Sequence, residues 1–130
     1  MAEISKDRKA FLKKWAKLRE IMASFQWEKD GTNLHQRYKY ITEAQYKKNF
    51  EHALQEAGLL WKMETLDTIF HGPISDKMHL IEARFRGQLT DPDTGEYEEF
   101  FFSGTGADNG DKALYKAVTG GHKFFLASNF

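Results

Sequence analysis

Apolar residues recur at steps of four and three through the start of the chain: Phe11, Trp15, Leu18, Met22 and Phe25. That period puts them on one face of an amphipathic helix over 5–25, with Ser5 as its N-cap. Lys6, Lys13 and Lys17 fall on another face. The segment "WEKDGTN" ends the helix, with Gly31 in the turn. "LHQRYKYI" (34–41) reads as a short extended segment. "TEAQ" (42–45) reads as a capping box, Thr42 at the cap and Gln45 three residues on. It opens a second helix over 43–57, with Tyr46, Phe50, Ala53, Leu54 and Ala57 on its apolar side and Gly58 as terminator.

The pattern then shifts from helical period to alternation. Three strands are expected over 59–70, 77–90 and 96–104. In the second, Met78, Leu80, Glu82, Arg84 and Arg86 alternate with His79, Ile81, Ala83 and Phe85, so one face is apolar and the other is charged over its latter half. "HGP" and "DPDTGE" supply the turns. A last helix, capped by Asp108 or Asn109, runs to Leu126. The order α, short β, α, β-β-β, α argues for an α+β fold, an antiparallel β-β-β meander packed with helices. At 130 residues the chain fits one domain, 1–130, large enough to bury a core without staples.

Composition removes several classes of function. There is no cysteine, which excludes disulfides and thiolate metal sites. No stretch nears the roughly 20 apolar residues of a membrane span, and the charged start "MAEISKDRKAFLKKW" lacks the apolar core of a secretory signal. A soluble cytoplasmic protein with no membrane partner is expected. The chain stops directly after an apolar helix, which raises the expectation of a further C-terminal segment. Net charge is zero, but residues 1–48 carry +6, 49–110 carry −8 and 111–130 carry +2. Such asymmetry fits a molecule with a cationic face, or subunits that meet basic surface to acidic.

The stretch "GTGADNGDKALYKAVTGGHKFF" (104–125) invites a nucleotide-loop reading, and its spacing rejects it. Gly104 and Gly110 are separated by five residues, Asp111 stands where a P-loop needs lysine, and Ala113 replaces the hydroxyl that binds magnesium. The Rossmann spacing fails as well. On a helical wheel Lys112, Lys116 and Lys123 fall within about 40° of one another with Thr119 on the same stripe, while Leu114, Val118, Gly121 and Phe125 are expected opposite. Only Asp111 is acidic there. A row of lysines without acids suits a phosphate backbone, a solvated face explains it too, and charge pattern alone leaves both open. Gly120-Gly121 marks either a kink or a close approach by another backbone, a neighbouring subunit's included.

In "HQRYKYI" Arg37 and Lys39 alternate with Tyr38 and Tyr40, the pairing of cations and rings that holds single-stranded nucleic acid. Tyr40 reads as core, and Tyr38 is open to either role. Arg84 and Arg86 share one strand face and either extend a basic groove or pair with Glu98 or Glu99 across the hairpin. Enzyme chemistry has little support. The histidines (35, 52, 71, 79, 122) lack ligand spacing, "DPDTGE" has its glycine one position early for a calcium loop, and no nucleophile elbow is present. No metal, cofactor or catalytic residue is expected. A metal-dependent nuclease using the acidic strands (Glu64, Asp67, Glu96, Glu98, Glu99) is the enzymatic alternative.

The run "YKYITEAQYKKNFEHALQEAGL", followed after three strands by "GTGADNGDKALYKAVTGGHKFFL", resembles the ERF (Essential Recombination Function) single-strand annealing proteins of phages and prophages. The likeness rests on the Tyr-x-Tyr before a capped helix, the helix ending in "GL", and the "GDKA…KA.T…K" element opening the last helix. It covers 34–130, and the helix within 1–30 lies outside it. The resemblance implies an ATP-independent recombinase that coats single-stranded DNA and promotes pairing with a complementary strand. It further implies a β-β-β-α core shared with annealing proteins of the Rad fifty-two type, assembly into homo-oligomeric rings or helical filaments, and a bacterial host cell. It also implies a host or phage single-strand-binding partner and a further C-terminal region. Lys112 and Lys116 lie in the matching element, and Tyr38 and Tyr40 are the matching aromatic pair. With Lys123, Arg37, Lys39, Arg84 and Arg86, they form the expected DNA-binding set. A coat protein that binds single strands without annealing them is the alternative.

Overall fold

Caps and periodicity put the helices where the sequence predicts them, and two long glycine-bearing strands reach further than it predicts. The computed structural model describes residues 3–34, 37–74, 78–108 and 112–130. Its elements are α1 (Lys6–Ser24), β1 (Gly31–Asn33), β2 (Tyr38–Tyr40), α2 (Glu43–Ala57), β3 (Leu60–Pro73), β4 (His79–Thr90), β5 (Tyr97–Asp108) and α3 (Ala113–Asn129). The protein is α+β, with three helices, a three-stranded antiparallel sheet in the order β3-β4-β5, and a two-stranded sheet, β1-β2. No helix among the described residues is long and apolar enough to cross a membrane. The expected roles of Asn109 as a cap, Gly110 and Asp111 in the glycine loop, His35, and Lys77 as the start of a strand lie outside the described residues.

The chain divides into two compact units. The first comprises Met1–Trp61, Gln88–Glu98 and Phe130. Here Ser5 caps α1 by accepting from the Arg8 N–H at 3.0 Å, and Phe11, Leu18 and Met22 are buried as their spacing predicts. On α2, Phe50, Ala53, Leu54 and Ala57 are buried, and Gly58 closes the helix in the left-handed region at φ 75°. Phe50 also meets Trp61 and Phe130, with ring centres 5.7 and 5.0 Å away.

The capping box forms only in half. Thr42 accepts from the Gln45 N–H at 3.2 Å, but the Gln45 side chain turns to Glu28, accepting from its N–H (2.9 Å) and donating to its carbonyl (2.6 Å). Asp30 takes the Thr42 N–H and hydroxyl instead, both at 3.0 Å. The incoming loop thus satisfies the helix N-terminus that a local box would have satisfied. That contact also changes 31–41. Gly31 is a strand residue and not a turn, and among the described residues of 34–41 Tyr38–Tyr40 form the strand, paired antiparallel as Gly31↔Tyr40, Thr32↔Lys39 and Asn33↔Tyr38.

"DPDTGE" is the hairpin turn its composition predicts, with Gly95 at φ 80°. Asp91 is fully buried and organises it, accepting from the Asp93 N–H and the Thr94 hydroxyl, both at 3.0 Å, and from the Lys14 ammonium of α1 at 2.7 Å. Lys14 also meets Asp93 at 2.6 Å. The resemblance to a calcium loop therefore has a local explanation: the two carboxylates hold an ammonium. Burial raises the Asp91 pKa, but Lys14, the Asp93 N–H and the Thr94 hydroxyl outweigh it and hold the group below the ordinary carboxylate value.

The second unit comprises Lys62–Gly87 and Glu99–Asn129. Its core is Ala83 and Phe85 of β4 and Ala117 of α3, with Met63, Phe102 and Val118 packed against it. Phe102 lies flat on Phe125, ring centres 4.2 Å apart and planes at 14°. Further along β5 the backbones of strand and helix touch. A Cβ on Gly104 would collide with the Ala117 carbonyl oxygen and lie 2.6 Å from the Gly121 Cα. A Cβ on Gly106 would collide with the Ala113 carbonyl oxygen and lie 2.6 Å from the Ala117 nitrogen.

This contact corrects three expectations. Gly104, expected as the last residue of the third strand, and Gly106, expected beyond it, both lie inside β5, because helix packing needs bare backbone there. Gly121 does not kink or end α3, and the backbone it admits is β5 of the same chain. The buried face of α3 is Ala113, Ala117, Gly121, His122, Phe125 and Leu126, whereas Leu114, expected inward, is 41% exposed. Where the backbones touch, α3 presents only small residues, Ala113, Ala117 and Gly121.

Two outcomes follow for stability. Gly104→Ala lowers it by about 1–3 kcal/mol, the usual cost of overpacking, whereas Gly120→Ala, with open space around the added methyl, raises it by up to about 1 kcal/mol; urea midpoints measure both. Asp91→Asn is less stable than the parent at neutral pH. A carboxylate with a depressed folded pKa stabilises above its unfolded value, about 3.9, and ceases to do so as pH falls through the folded value. The gap between parent and variant therefore narrows on acidification below about pH 4, as thermal melts at stepped pH will read.

Candidate nucleic-acid interface

The residues expected to hold a polynucleotide fall into three groups. The first is the β1-β2 hairpin in the first unit. Gly31 is the bed for Tyr40: a Cβ there would lie 2.6 Å from the ring's Cζ. Tyr40 is accordingly half-buried, while Tyr38 is 47% exposed beside it, ring centres 5.8 Å apart. Lys39 is exposed and alternates to the other face. Arg37 does not share that face by strand alternation. It precedes the strand at φ 56°, a left-handed conformation unusual for a residue with a Cβ.

The second group is on α3. Lys112 and Lys116 are exposed, and Lys123 is half-buried. The Lys116 N–H bonds the Lys112 carbonyl at 2.9 Å, so Lys112 continues the helical register. From Lys112 to Lys123 the ridge spans about 16 Å at the helical rise, on the side of α3 away from Ala117 and Gly121. The Lys116 ammonium is drawn toward the end of β5, 3.2 Å from the Ala107 carbonyl and 3.3 Å from the Asp108 carboxylate. Asp108, expected as a helix cap, is thus the last strand residue and a lysine partner. Ala113–Asn129 contains no acidic residue.

The third group is Arg84 and Arg86. Ala83 and Phe85 face α3, so alternation along β4 sends both arginines to the opposite face of the sheet. Their partners are not the expected Glu98 or Glu99. Arg84 meets Glu82 on its own strand at 3.3 Å, Arg86 pairs with Glu64 of β3, and Glu98 takes Arg8 at 2.5 Å. His71 also reaches Glu82, at 3.0 Å, and with Arg84 it lowers the Glu82 pKa. Within this unit the lysine ridge and the arginine pair stand on opposite sides of a sheet-and-helix layer, so they do not line one groove.

Sequence reasoning missed the exposed rings around these cations. Tyr115 is 71% exposed, Phe124 74% and Phe101 67%. Periodicity counts aromatics as core by default, and only the tertiary contacts show which stay outside. Among the described residues no group of three or more His, Asp or Glu is placed to hold a metal ion. A cavity of about 360 Å³ in the first unit is lined by polar residues including Glu28, Asp30, Gln45 and Lys48, none from the expected set. No family model matches the sequence, and neither does any curated protein.

A left-handed Arg37 gives the hairpin a direct test. Arg37→Gly relieves the backbone and raises stability by up to about 1 kcal/mol while removing one charge, measurable by urea denaturation.

Proposed function

We propose that this protein is an ATP-independent single-strand annealing protein of the ERF type, with the β3-β4-β5-α3 segment as its annealing core. The observation that carries the reading is the lysine ridge of α3, which bears no acid over Ala113–Asn129 and faces away from the sheet. The resemblance of 34–130 to ERF proteins, which includes Lys112 and Lys116, also supports it. So does the part played by Gly104 and Gly106, which serve helix packing and are not free to wrap a nucleotide's phosphates.

In this reading Lys112, Lys116 and Lys123 contact the backbone of a single DNA strand, displacing Asp108 from Lys116. Arg37, Tyr38 and Lys39 form a second contact on the hairpin. Arg84 and Arg86, matched by Glu82 and Glu64, serve contacts between subunits of a ring or filament rather than the strand. Bound phosphates are neutralised, so two strands approach with less repulsion while their Watson–Crick edges stay available. No bond is made or broken, and no catalytic residue is required.

Mixing two complementary labelled oligonucleotides with the protein in EDTA, without ATP, and following energy transfer tests this. Pairing faster than without protein is expected. Bound, intact strands with no acceleration would leave a coat protein, and magnesium-dependent cleavage would mark a nuclease. Lys112→Ala and Lys116→Ala each weaken binding and reduce the salt slope by about 0.7 per lost phosphate contact. Unchanged affinity and slope in both would remove the ridge from the interface.

A further inference from the structure

We propose that Tyr115 is a base-stacking residue and that it makes the α3 ridge select unpaired strands over duplex. The inference rests on the reading of α3 as a strand-binding helix and adds what that reading lacks, a means of telling substrate from product. Lysines alone contact phosphates, and phosphates are present in both.

Tyr115 borders the ridge, about 60° around the helix from Lys112. Residues three and four apart on a helix are neighbours, so Tyr115 lies beside Lys112 and Thr119 and directly precedes Lys116. It is 71% exposed. Among the described residues, no ring contact and no hydrogen bond engages its side chain. An exposed ring contributes little to the core, and a tyrosine is stiff, so it loses little freedom when a base lies on it. Rings set among cations are how sequence-tolerant single-strand binders combine stacking with backbone contact.

The other exposed rings are less suited. Phe101 lies on the sheet face where Arg84 and Arg86 are matched by Glu82 and Glu64, so a phosphate chain gains no net charge there. Phe124 has no lysine three or four residues away on the helix, its neighbours there being Gly120, Gly121, Ala127 and Ser128. Only Tyr115 has lysines on both sides in sequence and no acid on its helix.

In a duplex the faces of interior bases are covered by their neighbours. A ring that stacks on a base therefore stabilises the single-strand complex alone. When pairing completes, that contact is lost while the phosphate contacts persist, and the product leaves more readily than the substrate.

Fluorescence anisotropy with an oligo-dT, an abasic strand of equal length and a hairpin duplex tests the assignment, using the parent, Tyr115→Ala, Tyr115→Leu and Tyr115→Phe. The alanine and leucine variants should lose on the order of 5- to 150-fold in dT affinity, the range of one base–ring stack. Their affinity for the abasic strand and the duplex, and their salt slope on dT, should equal those of the parent. The phenylalanine variant should retain dT affinity. Parental dT affinity in the alanine or leucine variant overturns the inference, as does an equal loss on all three probes. A parent that binds dT and the abasic strand alike removes the stacking inference and leaves the lysine ridge standing. A parent that binds none of the probes removes both.

Discussion

The contact on which the second unit depends is backbone against backbone. Gly104 and Gly106 of β5 lie under α3 where a single methyl would strike the carbonyls of Ala117 and Ala113. Gly121 mirrors this from the helix, its Cα facing Gly104. A helix seated this low has little rotational freedom. Its small residues go inward, the Phe102–Phe125 stack closes one end, and Lys112, Lys116 and Lys123 are carried to the far side. The glycines that look like a nucleotide loop in sequence thus act indirectly, by fixing the direction in which the cations point.

In the first unit a different kind of constraint sets the path of the loops. Polar side chains satisfy backbone and charge at long sequence separation: Lys14 with Asp91, Asp30 with the N-terminus of α2, Gln45 with Glu28. Asp91 has no exposure and tolerates it because a cation, an amide and a hydroxyl converge on it. Such contacts add little net stability, but leaving one partner bare is expensive. They therefore specify how the loops run more than they hold the unit together.

The charged side chains sort by what surrounds them. Arg84 and Arg86 look like ridge residues in sequence, being basic and in register, yet each has an acid beside it. The α3 lysines share their helix with no acid, and Asp108 pairs with Lys116. Positive charge thus gathers along one side of α3.

What the sequence determined by itself is what short-range physics controls. Ser5 and Thr42 cap their helices, Gly58 ends one, the 3.6-residue period buries Phe11, Leu18 and Met22, and "DPDTGE" turns on Gly95. Alternation correctly paired Ala83 with Phe85 and opposed them to Arg84 and Arg86. The tertiary structure alone decided where long-range partners stand. It sent Gln45 to Glu28, gave the arginines to Glu64 and Glu82, left Leu114 and Tyr115 outside, and placed two glycines beneath a helix. The reason is that a cap or a period is settled within one turn or strand, whereas burial and ion pairing depend on which surface arrives from elsewhere in the chain, and no local pattern carries that information.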